Sequence, residues 1–508
     1  MNSDKKIILV NAITTYIRLA TGIVVGIFLM RAVFRYLSSE EYGFWVILWS
    51  AFGYAIFMDF GFGFSMEKFI PKYLVANENE KIIEIINTVF FCVLAGSLVV
   101  VLATLVASNY LGVFKFQNGQ VKPLFKTAFI LFGILTAIRF SFGLFQEVLV
   151  GLHKMYIKDL ILAVFDLCSL TVALLIVHLN KGFLNLIIGI LTVNITAELT
   201  CLVFVMRQIH GFKLSFRYFN KKIIKNVISF SLYTYIAKCA SVITGRIFQL
   251  IIPALISVTS VGIYQVASRL SAFVELFAKQ AVPAIIPYAS KLEAEANTER
   301  MKNLIYSGTK FVMFLVIPTA CCGLFFNRYI LTLWLGKLDP QIFFLVAPLL
   351  ITVSLEILYH VSIVTFIMHG GQKKVARIFV IRMVVSVGAG IFSLITFGLN
   401  GLAWSYLICS IFIYLFMFHP EIAKLCDISF LGLFIKFIRP HLISASGLLI
   451  FFLTYIIFFS VNSFASFFIV NSSAFFFYAA LFYIFALDNR ERKMISSAFA
   501  EIKRMMGR

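Results

Sequence analysis

Leu37-Ser-Ser-Glu-Glu-Tyr-Gly-Phe-Trp45 opens a stretch that the chain reads twice: residues 37–86 return at 256–305, beginning Ile256-Ser-Val-Thr-Ser-Val-Gly-Ile-Tyr264. At this shift of 219 residues Gly43 falls on Gly262, Lys72 on Lys291, Glu80 on Glu299, Lys81 on Arg300 and Ile85 on Leu304. The same shift carries Gly151 to Gly370, Lys154 to Lys373 and Lys158 to Arg377. Asn11 and Arg31 meet Asn226 and Arg246 at a shift of 215, which places a small length change between the first and second helices of each half. The chain is a duplication. In a membrane protein that points to transport, because two similar halves rocking against each other expose one central site to either side in turn.

Composition places the chain in a membrane. Hydrophobic residues are 61% of its 508 residues, against about 45–50% in soluble domains. Charged residues are 13%, and the mean hydropathy is +0.97. Apolar runs, each near or above the roughly 20 residues that cross a bilayer, predict helices at 7–36, 42–66, 85–112, 124–151, 156–179, 182–206, 226–256, 260–289, 304–327, 341–368, 375–397, 401–418, 437–460 and 464–487.

The formal net charge of +21 is distributed by loop. Bases gather in alternate connections, among them Lys68, Lys72 and Lys81, Lys154 and Lys158, and the run Arg207, Lys213, Arg217, Lys221, Lys222 and Lys225. The intervening connections hold only Lys115, Lys122, Lys126, Lys181, Arg328 and Lys337. This is the positive-inside pattern. It predicts an even number of spans and both termini in the cytoplasm, and it accounts for the basic excess without nucleic acid as a partner, since no base-reading element is present.

No enzyme is expected. The connections are too short for a catalytic domain, and no phosphate-binding loop, HExxH or GxSxG motif occurs. The eight cysteines lie mostly in apolar segments without metal-ligand spacing, so neither a metal nor a cofactor is expected. Gly22 and Gly26 form a small-xxx-small pair, read as helix packing.

The informative residues are the charges far from the interfaces: Arg18, Arg31, Arg35, Arg139, Lys238, Arg246, Arg269, Lys279, Lys310 and Arg382. Each costs at least about 2.5–3.5 kcal/mol at the bilayer centre, so ten of them require a wet cavity or partners. Arg35, Lys279, Lys310 and Arg382 are read as reaching the interface along their helices, and Glu275 with Lys279 as a structural pair. Arg18, Arg139, Lys238 and Arg269 are expected to line a central cavity and bind substrate, with Arg31 and Arg246 as further candidates. Among the acids, Asp166, Glu198 and Glu356 are the candidates for ion coupling, the alternative being that they neutralise the arginines.

Leu37-Ser-Ser-Glu-Glu-Tyr-Gly-Phe-Trp, Asp59-Phe-Gly-Phe-Gly-Phe-Ser-Met-Glu-Lys and Lys72-Tyr-Leu-Val-Ala resemble the helix-two region of Wzx-type polysaccharide flippases. Pro283-Ala-Ile-Ile-Pro-Tyr-Ala-Ser-Lys-Leu-Glu-Ala-Glu-Ala resembles its second-half counterpart. These belong to the MATE-like MOP superfamily, which also holds drug antiporters and lipid II flippases. The resemblance implies two six-helix lobes, alternating access, and translocation of a polyprenyl-diphosphate-linked oligosaccharide for surface polysaccharides such as the O-antigen of lipopolysaccharide. The partners it implies are that substrate, membrane lipids, and a polysaccharide polymerase or other assembly proteins.

The expected fold is therefore an all-α integral membrane protein of about 14 transmembrane helices. The N-lobe spans 1–208, a basic linker 209–225, the C-lobe 226–426, two extra helices 427–487 and an amphipathic tail 488–508. The lobes are expected to be related by a pseudo-twofold along the membrane normal. Two other functions are weighed: a cation-coupled drug exporter, expected to have an acid-dominated cavity, and a non-transporting assembly scaffold, which leaves the ten charges unexplained. Pro253, Pro283, Pro287, Pro318 and Pro348 place the bendable helices in the second lobe, with Pro71 and Pro123 outside helix interiors.

Overall fold

A computed structural model of the chain describes residues 3–59, 62–117, 119–221, 223, 232–279, 289, 292, 293, 295, 298–336, 338–459, 463–489 and 491–493. Among these, every regular element is helical, and two compact units form, residues 1–262 and 263–508.

The first unit contains α1 (Ser3–Tyr36), α2 (Ser39–Gly53), α3 (Phe62–Val75), α4 (Asn79–Ala107), α5 (Pro123–Gly151), α6 (Met155–His178), α7 (Phe183–Gln208), α8 (Leu232–Arg246) and α9 (Phe248–Leu255). The quoted stretch starts α2 with a reciprocal cap. Glu41 N donates to Ser38 Oγ at 3.3 Å, and Ser38 N donates to the Glu41 carboxylate at 3.0 Å. Two of the amides that a helix start leaves unpaired are thereby satisfied.

The expected second span, 42–66, is interrupted. α2 stops at Gly53, a 3-10 turn runs from Tyr54 to Asp59, and α3 starts at Phe62. At this end of α2 the Arg246 guanidinium of α8 donates to Trp49 O at 3.0 Å and occupies the space a side chain at residue 53 would need. Pro71 lies inside α3 rather than in a loop. Because α1 packs along α6, and α5 against α4, α7 and α3, the unit's apolar core forms around Met66, Ile86, Phe145, Val148 and Cys201. Gly22 and Gly26 face open space, so the packing expected of that pair is absent among the described residues.

α10 (Val258–Lys279) leads into the second unit, which holds α11 (Thr298–Leu335), α12 (Gln341–Phe366), α13 (Gln372–Ile413), α14 (His419–Cys426), α15 (Phe430–Phe458) and α16 (Phe464–Phe485). α13 covers two of the expected spans, and Gly398, at φ 65° and ψ −153°, bends it between them; a side chain would be strained there. α11 is kinked at Phe326, eight residues beyond Pro318. α15 and α16 pack on one another and on α11 through Phe452, Tyr478 and Phe326. Pro283 and Pro287 lie outside the described residues, as does the tail from 494 onward.

Helices of this length and apolarity make the chain a multi-pass all-α membrane protein: ten stretches of the described residues are long and apolar enough to cross, one of them, Gln341–Cys426, spanning several helices.

Candidate functional site

Within the first unit a cavity of about 680 Å³ opens among α2, α3, α4, α5, α7 and α8. Trp49, Phe52 and Phe132 supply an aromatic wall, with Phe52 and Phe132 stacked at 5.3 Å and Trp49 edge-on to Phe132 at 5.2 Å. Three bases and three acids face the same space: Arg139, Lys238 and Arg246, and Glu67, Glu147 and Glu198.

These side chains are positioned by polar contacts that a lipid-facing helix would lack. Glu198 is buried, accepts a hydrogen bond from Gln146 at 2.6 Å and lies 3.6 Å from Arg139 Nε. Arg246 is tied to the Trp49 carbonyl, and Tyr235, one turn before Lys238, donates to Phe57 O at 2.5 Å. α8 is thereby fastened to the broken end of α2, which brings Lys238 and Arg246 to the cavity opposite Arg139.

Of the residues proposed from the sequence, Arg139, Lys238 and Arg246 share this cavity. Arg18 stands apart from its lining, paired at 3.1 Å with Asp159, which also accepts from Thr15 at 2.7 Å. Arg31 is half-buried on α1, and Arg269 is exposed on α10 in the second unit. Asp166 is half-buried on α6, within electrostatic reach of Arg18 and Arg139.

Arg382 corrects the sequence reading. Instead of reaching an interface it is 6% exposed, paired with the Glu356 carboxylate and donating to Tyr414 Oη at 2.9 Å. A guanidinium so enclosed is stable only with its charge matched, and Glu356 supplies the match. Lys310 is likewise held, at 2.5 Å from Glu491. The side chain of Lys279 lies outside the described residues, and Arg35 is exposed. Of the ten bases, Arg18, Arg139, Lys310 and Arg382 thus stand beside an acid, and of the three acids named from the sequence Glu198 and Glu356 are in such pairs.

The sequence did not single out Glu67 and the aromatic wall. Glu67 lies inside one of the quoted motifs, and that was the signal that could have found it.

Beyond the cavity, on the charge-poor side, a polar clasp ties two connections together. The loop after α4 runs beside the α9–α10 turn: Lys115 N donates to Pro253 O at 2.8 Å, Val258 N donates to Lys115 O at 3.0 Å, and Lys115 Nζ donates to Leu255 O at 2.7 Å. Glu40, 4% exposed, secures the same loop by accepting from Gln117 N at 2.8 Å and pairing with Lys122 at 2.9 Å. Pro253 is seven residues beyond Arg246, so this clasp sits about 10 Å further along the helix axis.

Known proteins agree with this architecture. A lipid II flippase, MurJ, in an inward closed conformation superposes with a TM-score of 0.71 at 15% identity, covering 94% of this chain and 99% of that one. A multidrug resistance MATE family transporter of the MOP superfamily, inward-facing, gives 0.67 at 14% identity over 82% of this chain and 99% of its own. A MOP superfamily transporter from Pyrococcus furiosus, described as having a binding pocket of reverse polarity, gives 0.59 at 13% identity, covering 83% and 96%. No curated protein sequence matches significantly. Residues 32–338 match the model of a family described as polysaccharide biosynthesis protein, more than half of the chain. The chain thus belongs to the polysaccharide biosynthesis protein family and carries the fold of the MOP-superfamily transporters.

Proposed function

We propose that this protein is a flippase that carries a polyprenyl-diphosphate-linked oligosaccharide across the bacterial cytoplasmic membrane by alternating access, with both termini and the basic loops on the cytoplasmic side. The observation that carries this reading is the convergence of Arg139, Lys238 and Arg246 on one aromatic-walled cavity. A diphosphate crossing a low-dielectric layer needs its charge matched, and guanidinium groups match phosphate oxygens two at a time. The flat faces of Trp49, Phe52 and Phe132 suit the apolar faces of sugar rings.

Arg31 is a further candidate for the basic path, and Asp166 and Glu198 are the acids through which an ion is coupled, whereas Arg18 and Glu356 serve Asp159 and Arg382. In this scheme the halves are the six-helix lobes 1–208 and 226–426, joined by the linker 209–225, with 427–487 and the tail 488–508 added. The lobes are related by a twofold along the membrane normal. The clasp at Lys115, Pro253 and Val258 is the closure that opens for release outside. No bond is made or broken in this cycle, so no catalytic residue is assigned.

One observation favours a second reading, export of cationic compounds: Glu67, Glu147 and Glu198 equal the bases in number. Reconstitution separates the two. Proteoliposomes containing the protein should move a fluorescent polyprenyl-diphosphate oligosaccharide to the opposite leaflet, as read by quenching with an impermeant reductant. Movement of a cationic dye without movement of the lipid-linked sugar would replace the first reading by the second.

A further inference from the structure

The connection after α7 is not a slack loop. Ile209 and Phe212 are buried in the apolar core of the first unit, and Asn87 and Thr88, both 0% exposed on α4, grip the backbone that follows. Asn87 Nδ2 donates to Lys213 O at 3.1 Å while Ser215 N donates to Asn87 Oδ1 at 2.8 Å. Asn220 N donates to Thr88 Oγ1 at 3.0 Å, Asn220 Nδ2 donates to Glu84 at 3.1 Å, and Phe216 packs edge-on against Phe91 at 5.2 Å. A buried amide and hydroxyl in an apolar helix are costly unless bonded, so α4 carries two polar side chains whose partners lie in this strap.

What the strap presents is uniform in charge. From Arg207 to Lys225 there are six bases and no acid. Lys213, Arg217 and Lys221 are exposed, as are the apolar Leu214 and Phe216 between them. Its depth is also fixed. Glu84 is the last charge on α4, with none from Ile85 to Ala107, so Asn87 and Thr88 hold the strap where α4 passes from its polar to its apolar part. That is the level of lipid headgroups for a helix crossing a bilayer.

We infer that residues 209–221 form a preorganised binding site for anionic phospholipid headgroups of the leaflet on the basic side, with Lys213, Arg217 and Lys221 facing the phosphates and Leu214 and Phe216 entering the acyl boundary. Rigid presentation separates this from a general positive-inside loop: the bases are held in place before the lipid arrives, so less ordering cost opposes binding. Each base near an anionic surface contributes roughly a fivefold gain in affinity.

Native mass spectrometry of the full-length protein in detergent, titrated with dioleoyl phosphatidylglycerol or dioleoyl phosphatidylcholine, tests this. The wild type should retain phosphatidylglycerol at least about tenfold more tightly. The variant Lys213→Gln/Arg217→Gln/Lys221→Gln should lose most of that preference. The control Lys373→Gln/Lys374→Gln/Arg377→Gln, on a different basic connection, should keep it. Equal loss in both triple variants would overturn the inference in favour of diffuse charge attraction. Equal binding of both lipids by the wild type, or full displacement of phosphatidylglycerol by equimolar glycerol 1-phosphate, would also overturn it.

Discussion

Gly43 and Gly262, equivalent positions in the duplicated sequence, meet face to face: a Cβ built on Gly262 would lie 3.7 Å from Gly43 N, and one built on Gly43 would overlap the carbonyl of Val258. Gly43 needs glycine because the Val258 backbone oxygen occupies the space of a side chain, whereas at Gly262 the nearest obstacle is the Tyr42 ring, 3.0 Å from a built Cβ.

Gly43→Ala should therefore disfavour the clasped arrangement. The obstructing atom is a backbone oxygen, so overpacking of about 1–3 kcal/mol is expected, roughly a five- to 160-fold shift in population. In a background lacking native cysteines, a cysteine at Thr136 should become more reactive from outside towards an impermeant maleimide. Unchanged labelling would mean that the Gly43–Val258 contact does not hold the clasp shut.

The Arg382–Glu356 pair should behave as a buried structural unit. Removing either partner alone leaves a charge in an apolar site and should cost about 3–5 kcal/mol, seen as a sharp fall in membrane abundance for Arg382→Met or Glu356→Met. Glu356→Met/Arg382→Met should recover much of that loss. A double variant no better than the singles would show that the two charges act independently.

Arg18 should separate from Arg139 in the same assay. Asp159 is 1% exposed and is held by Arg18 and Thr15, so Arg18→Ala should lower abundance, and Asp159→Asn in addition should restore it. Export per molecule is the quantity to compare. A loss of export by Arg18→Ala at full abundance would assign Arg18 to substrate rather than to Asp159.

The all-α membrane class and the meeting of Arg139 with Lys238 at one cavity were legible because each depends on local pattern: apolar run length and position along a helix. The break at residues 54–59 was not, since Ala55-Ile-Phe-Met continues the apolar run and Arg246, which holds the end of α2, lies almost 200 residues away. Arg382 was misplaced for the same reason: counting along one helix gives depth but not the partner, and Glu356 on the neighbouring helix makes burial tolerable. The run around Glu67 carries no local signal of where its side chain points, since only the packing of α3 turns it towards the cavity.

The most direct test of the cationic cavity is export of surface polysaccharide in a strain lacking its own flippase, measured together with membrane protein level for Arg139→Ala, Lys238→Ala and Arg246→Ala. Each variant should insert at near-normal abundance and lose at least about tenfold in export, with Arg139→Lys restoring only part because an ammonium lacks the planar fork. Full export by all three at normal abundance would contradict a diphosphate-binding role for this cavity.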